Sequence, residues 1–427
     1  MTTNMNLPTE QELIALRREF HEFPEPGWRE FWTTTRIVEE LESLDVDQIH
    51  IGAEALDPDE RLGVPDEQAQ SEWLERAAAR TDRDDILEQV AGGHTGVVAV
   101  VDRGDGPTVG LRVDIDALPI TESANESHKP TGAGYRSENE GFMHACGHDA
   151  HITFGLGTLQ TVLESDFSGT FKVFFQPSEE LLGGGKAMAA GSHIDDVDYL
   201  VGTHVGLDHP TGTVVAGLDE VLAFSRFDVT FTGESAHAGL APNQGQNAVQ
   251  ALVDATSNIY GIPRHRDGAT RVNVGEINSD NAANVIASKA TATVEVRGDS
   301  DELMEYMRDS VLRHIDSAAE AQGCEAETSL IGEAIREDSD EELVDLVDGI
   351  AGDVDEVSSV HRRGSTGASE DVTYLMRAVK ENGGKATYVG IGGGNPSGHH
   401  TPTFDIDEDC LLIGVSVLSG AILDLLS

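Results

Sequence analysis

The stretch Thr108-Val109-Gly110-Leu111-Arg112-Val113-Asp114-Ile115-Asp116-Ala117-Leu118-Pro119 runs from a strand-like apolar segment straight into two carboxylates and a proline. A strand over residues 108–113, like the one expected over 96–101 before it, is apolar enough to be buried on both faces, the habit of strands in sheets covered on both sides by helices. Open α/β sheets keep their ligands beyond the carboxyl ends of such strands. Asp114 and Asp116 therefore mark the edge where chemistry is expected.

Outward from this strand the alternation continues. A helix follows His151, strands are expected over 170–175 and 199–204, and helices over 341–350 and 371–380 precede a strand over 386–390 and a closing helix. Upstream, Thr9 and Glu12 make a capping box ahead of Leu13, Leu16 and Phe20 at helical spacing. That helix stops at Pro24-Glu25-Pro26-Gly27, and a second is expected over 30–44. Residues 52–94 are acidic and turn-rich, with one helical piece near 72–79, and read as a surface insertion. From about Leu222 the pattern changes to strand, helix, two strands, helix, strand. This βαββαβ order is that of a ferredoxin-like unit inserted in another domain. The expected organisation is an α/β domain formed by residues 1–221 and 334–427, interrupted by a second domain at 222–333.

Composition narrows the function classes. The 427 residues are 39% hydrophobic, enough for a sizeable core and two domains. Asp and Glu number 77 against 28 Lys and Arg, a net charge of -49 spread along the chain. Nucleic acids and anionic membranes need basic patches and are poor partners for such a surface. Self-repulsion on this scale is tolerable where salt screens it, which points to a halophile's cytoplasm. The three cysteines, at 146, 324 and 410, are too scattered for a disulfide framework and fit a reducing compartment. Residues 1–10 have no export-signal pattern and no run of apolar residues is long enough to span a membrane, so a cytoplasmic location is expected.

The chemistry is densest at Met143-His144-Ala145-Cys146-Gly147-His148-Asp149-Ala150-His151, with three imidazoles, a thiol and a carboxylate. Cys146 and His148 flank a flexible glycine, so a thiolate and an imidazole nitrogen can face one metal ion. A buried cysteine beside ordinary helix-start histidines is the plainer reading for one His, but a poor one for this cluster. No second Cys pair follows, which favours an open, catalytic site over a closed structural one. Glu179 and Glu180 leave a strand through Pro177; adjacent side chains diverge, so one carboxylate can bind metal while the other serves as general base. His204 ends the next strand, and His399-His400 follows the Gly392-Gly393-Gly394 loop. Cys146, His148, Glu180, His204 and His400 exceed the needs of one tetrahedral ion, and a two-metal site is the economical reading. In the inserted domain, His237 follows a strand, while Asn284 precedes and Arg297 ends another. An imidazole, an amide and a guanidinium there are suited to a carbonyl and a carboxylate.

As a set, Asp114-Ile-Asp-Ala-Leu-Pro119, the 143–151 stretch, Gln176-Pro-Ser-Glu-Glu180, Ser235-Ala-His-Ala238, Gly367-Ala-Ser-Glu-Asp371 and His400-Thr-Pro-Thr-Phe404 resemble one family nearly end to end. It is the metal-dependent amidohydrolase and carboxypeptidase family that includes hippurate hydrolases and plant auxin-conjugate hydrolases. Within it, Arg61-Leu-Gly-Val-Pro-Asp66, Ile262-Pro-Arg-His265, Ala269-Thr-Arg-Val-Asn-Val-Gly275, Val294-Glu-Val-Arg-Gly298, Gly398-His-His400 and the 52–94 segment look like the branch of p-aminobenzoyl-glutamate hydrolases. Ser178, where Ala is commoner, and Gly-Ala-Ser-Glu-Asp, where Gly-Ser-Glu-Asp is commoner, are small departures that touch no proposed ligand.

The resemblance implies a mixed-sheet catalytic domain of zinc-peptidase type with the ferredoxin-like insert as dimerisation domain. It also implies two divalent ions, Mn²⁺ or Zn²⁺, on Cys146, His148, Glu180, His204 and His400, with Glu179 as base. Asp116 would orient a ligand from behind. His237 would be lent to the partner's site in a homodimer, and His237, Asn284 and Arg297 would hold the substrate. A heterodimer with a related but different chain is the other arrangement considered. The implied reaction is hydrolysis of the amide of an N-acyl or N-aroyl amino acid, p-aminobenzoyl-glutamate or a similar conjugate foremost. An aminoacylase, hippurate hydrolase or indole-3-acetyl-amino-acid hydrolase would share the chemistry and differ in pocket lining. A non-catalytic metal-holding protein is the rival of another class, and Glu179 argues against it, since a binder needs no base beside the water.

Overall fold

The computed structural model describes residues 5–394 and 397–427. It divides into two compact units, one formed by Met1–Asp219, Glu337–Thr366 and Asp371–Ser427, the other by Glu220–Arg336 with Gly367–Glu370. The first is built on an eight-stranded mixed sheet in the order Gln48–Ile51, Val97–Asp102, Thr170–Gln176, Thr108–Asp114, Tyr199–Val205, Lys385–Ile391, Thr213–Val215, Ser359–His361. Its four central strands, from Thr170–Gln176 to Lys385–Ile391, are parallel. Antiparallel neighbours flank them on either side.

Along Val97–Asp102, Val97, Ala99 and Val101 belong to one hydrophobic core while Val98 and Val100 belong to another, so the sheet is covered on both faces. Helices His148–Leu163 and Cys410–Leu425 lie in the first core and are buried almost all round, as helices without a polar face must be. Helix Val372–Glu381 packs into the second. In the parallel register Asp114 sits beside Gln176 and His204 beside Gly390, which brings the carboxyl ends of the central strands to one edge of the sheet.

Residues 52–94 are a correction to the sequence reading. They form two helices, Glu67–Ala78 and Asp84–Val90, and bury Trp73, Ala77, Ile86, Leu87 and Val90 in the first core. Asp66 starts the first helix by accepting from Ala69 N, ahead of the expected 72. Acidic residues fill the outward positions and leave too few apolar ones to announce the period. Arg61 donates to the carbonyls of Gly92 and Gly93 and closes the segment on itself. Leu62 O accepts from Trp28 Nε1 at 2.7 Å, and Leu62 N donates to Gly183 O, which seats the segment on the loop just past Glu180.

The second unit has the expected βαββαβ order. Its four strands pair antiparallel in the order Glu325–Ala334, Ala223–Thr232, Lys289–Gly298, Thr270–Asn278. Asn247 and Ser300 cap helices Ala248–Tyr260 and Asp301–Gln322. Phe227, Val229, Phe231, Val294 and Val296 on one face of the sheet share a core with these helices. Gly367–Glu370, which the sequence reading left with the first domain, joins this unit, where Leu222 N donates to Ala368 O. No helix among the described residues is long and apolar enough to cross a membrane.

Candidate metal centre

The site lies at the carboxyl edge of the parallel strands and grows out of one glycine. Gly147 precedes helix His148–Leu163 with φ 87°, and a Cβ there would stand 2.4 Å from Val205 Cγ1. Only a residue without a side chain lets the 143–151 turn close onto strand Tyr199–Val205. The turn brings Cys146 Sγ to 3.5 Å from His204 Nε2. His204 Nδ1 donates to Val205 O at 2.8 Å, which leaves Nε2 as the ring's lone pair, aimed at the thiol. His151, by contrast, is fully engaged. Its Nε2 accepts from Val205 N and its Nδ1 donates to Asp114, so it supports the strand end and offers no lone pair.

Beyond Thr170–Gln176 the chain turns through Pro177 and Ser178, whose φ is 55° and whose N–H donates to Glu30. Asp116 then accepts from Glu179 N with one oxygen and from Glu180 N with the other, each at 3.0 Å. The same carboxylate lies 3.4 Å from His148 Nδ1. One residue thus fixes the two glutamates and orients the histidine. His148 Nε2 faces Glu180 Oε1 at 3.7 Å and Glu179 Oε2 at 3.9 Å, while Glu180 Oε2 lies 3.6 Å from His400 Nε2. His400 is held by its own N–H, which donates to Ala145 O beside Cys146.

Cys146, His148 and His204 form one group of atoms spaced for a metal ion, and Cys146, Glu180 and His400 another. The two share the thiol, and a third group, His148, Glu179 and Glu180, overlaps both. The donor set fits divalent transition metals. Both ring nitrogens of His148 are buried without a hydrogen bond, as expected of a side chain whose partner is an ion. Burial opposes a charge on His148, yet Asp114, Glu180 and Asp116 outweigh it and push the imidazole up to about 10. The surroundings thus attract a cation. His204 is held well below its usual range by burial and by the neighbouring imidazoles of His151 and His399, which keeps it in the neutral, ligating form.

Behind this shell lie residues the sequence reading passed over. Arg112 bridges Asp114 at 2.6 Å and Asp371 at 3.1 Å, and Asp371 also accepts from Gln176 and from Gly185 N. Three distant motifs are thereby welded at one buried point. Asp149, inside the metal-binding turn, pairs with Arg17 at 2.7 Å and with His21 at 2.8 Å. The motifs containing Asp149 and Asp371 were visible in sequence, but the partners Arg17, His21 and Arg112 carried no local signal.

In the second unit, His237 Nδ1 accepts from Gly239 N and Leu240 N, both at 3.1 Å, so its proton sits on the outward Nε2. Asn284 adjoins it, its carbonyl accepting from Ala238 N. Arg297 lies elsewhere in the unit, on the sheet face away from the helices, beside Glu295 and Phe224.

Residues 110–424 match the model of peptidase family M20/M25/M40. One of the two named chains of the p-aminobenzoyl-glutamate hydrolase of Escherichia coli is 39% identical over 97% of this chain and 95% of its own. The indole-3-acetyl-aspartic acid hydrolase of Enterobacter agglomerans is 37% identical over 96% of this chain and 94% of its own. A crystal structure of the aminobenzoyl-glutamate utilization protein of Klebsiella pneumoniae superposes with a TM-score of 0.83 at 32% identity, covering 97% of this chain and 96% of that one.

Proposed function

The chain belongs to peptidase family M20/M25/M40, and from that premise we propose that it hydrolyses the amide joining an aromatic acyl group to a dicarboxylic amino acid, p-aminobenzoyl-glutamate foremost. Two relatives of nearly equal similarity are named for p-aminobenzoyl-glutamate and for indole-3-acetyl-aspartate, which share an aromatic acyl half and an acidic amino acid. The observation that carries the mechanism is the grip of Asp116 on two successive amides. It sets Glu180 between His148 and His400 and leaves Glu179 beside His148 with a separate task.

Cys146, His148, Glu180, His204 and His400 would hold two divalent ions, manganese or zinc. Such ions, when bound, polarise an amide carbonyl and acidify water. Glu179, buried at the rim of the cluster, takes a proton from the attacking water and passes it to the leaving nitrogen. The outward Nε2–H of His237 is suited to donate to the carbonyl oxygen as it gains charge, with Asn284 beside it. Arg297 grips the carboxylate of the amino-acid half.

His237 is proposed to act in the partner's site of a homodimer; the alternative partner is a related but different chain. Unit two carries the outward apolar side chains this needs, with Leu240 83% exposed and Ile277, on the edge strand Thr270–Asn278, 57% exposed. Three buried free cysteines fit a cytoplasmic setting, and the acidic surface fits a salt-rich one.

The test is a panel of p-aminobenzoyl-glutamate, indole-3-acetyl-aspartate and hippurate, assayed at high salt with manganese or zinc and again after chelation. Cleavage of the first two ahead of hippurate, lost on chelation and regained with metal, supports the reading. Preference for hippurate would overturn the substrate class.

A further inference from the structure

In a chain with 77 acidic and 28 basic residues, three arginines meet on one face of the second unit's sheet. The antiparallel register places Arg297 opposite both Phe224 and Arg271, and Glu295, two residues before it, opposite Arg226. Val272, Val274, Val294 and Val296 point the other way, into the core shared with the helices, so all three arginines lie on the face the helices leave open. Phe224 is fully buried there, with the Arg226 and Arg297 guanidinium carbons 4.9 and 5.0 Å from its ring centroid. The ring steadies both forks.

One carboxylate serves this group. Glu295 Oε1 lies 3.2 Å from Arg297 and Oε2 lies 3.2 Å from Arg226, which divides it between two guanidinium groups. Arg271 is exposed and forms no ion pair with any described residue, although acidic side chains abound on this molecule. Like charges directly opposite on neighbouring strands destabilise a sheet. Arg271 facing Arg297 is such a pair, in a protein that has few cations to spare. An arrangement that costs stability in the free protein is explained when an anion completes it.

We propose that Arg271 and Arg297 form a two-pronged dicarboxylate site, Arg297 taking the α-carboxylate of the substrate's amino-acid half and Arg271 the carboxylate of its side chain. The proposal rests on the amidohydrolase reading above and deepens it. It makes Arg271 the residue that selects an acidic amino acid over a neutral one of the same shape. Glutamine is the fitting neutral probe, since it differs from glutamate in one terminal atom and in charge. Planar forks match carboxylates better than a lysine's point charge does, so Lys at 271 should serve only in part.

The experiment compares kcat/KM for p-aminobenzoyl-glutamate and p-aminobenzoyl-glutamine in wild type, Arg271→Met, Arg271→Lys and Arg297→Met. The expected result is that the Glu/Gln ratio falls roughly 10- to 100-fold in Arg271→Met, as loss of a charge-assisted pair implies. It should fall less in Arg271→Lys, while Arg297→Met loses both substrates in proportion. An unchanged ratio in Arg271→Met overturns the proposal. Should wild type cleave neither conjugate, the amidohydrolase reading fails by itself, and calorimetric binding of glutarate to the full-length protein decides the site. A loss of tenfold or more in affinity in Arg271→Met, against wild type, sustains the dicarboxylate site; equal affinity overturns it.

Discussion

Glu179 and Asp116 sit one hydrogen bond apart and should fail in different ways. Glu179→Ala removes a proton carrier and no ligand, so turnover should fall by about 10²–10⁴ while metal content stays at the wild-type level. A variant that keeps more than about a tenth of the rate would remove Glu179 from the role of base. In Asp116→Asn a single amide oxygen must replace two carboxylate oxygens that accept from Glu179 N and Glu180 N. Metal affinity should weaken by about 10–100-fold, the usual effect of losing a residue that orients ligands, and elemental analysis after dialysis against a graded chelator would measure it. His21 governs pH dependence. Burial and the Arg17 guanidinium oppose its charge, but Asp149 and Glu122, hydrogen-bonded on either side, push it up to about 9. A group raised in the folded state stabilises fully below its unfolded value, about 6.5, and the contribution is lost as pH climbs through about 9. Wild type should therefore lose melting temperature between pH 7 and 10 more steeply than His21→Asn. Parallel curves for the two proteins would refute the assignment.

At the scale of elements, the turn into helix His148–Leu163 depends on Gly147. Gly147→Ala combines a left-handed φ with a Cβ 2.4 Å from Val205 Cγ1, whereas Gly141→Ala has a similar φ of 91° and nothing within 4 Å. Backbone strain costs about 1–3 kcal/mol and overpacking a similar amount. Gly147→Ala should melt several degrees below Gly141→Ala, and thermal unfolding that separates the two by less than a degree would show that the turn yields freely. The ligands were legible in sequence because each lies in a short motif at the end of a strand whose burial pattern is plain. Residues 52–94 were not, since Trp73, Leu87 and Val90 are single apolar residues among charges, and only the strands they pack against give them a face. The edge strand Gln48–Ile51 was missed for the same reason: it is partly exposed, and pairing with Val97–Asp102 defines it. Arg112 and Asp371 lie far apart in the chain, and no local pattern announces that they meet.

Across the whole molecule the net charge of -49 sets the working conditions. Screening shortens from about 10 Å at 0.1 M salt to about 3 Å at 1 M, so the melting temperature should rise steeply as potassium chloride goes from about 0.1 to 2 M. A flat profile would mean that the ion pairs already balance the surface, and the expectation of a salt-rich setting would lapse. The order of strands in the first unit also bears on how the chain is made. Residues 220–336 form one continuous run and can fold as soon as they leave the ribosome, as units of a growing chain generally do. The first unit must wait, because Lys385–Ile391 fills the place between Tyr199–Val205 and Thr213–Val215, and His400 follows later still. A nascent chain stalled before that point carries Cys146, His148, Glu180 and His204 without the residue that completes the set. Metal loading therefore belongs to the last moments of translation, and chains abandoned midway hold no finished centre with which to draw on the cell's supply of ions.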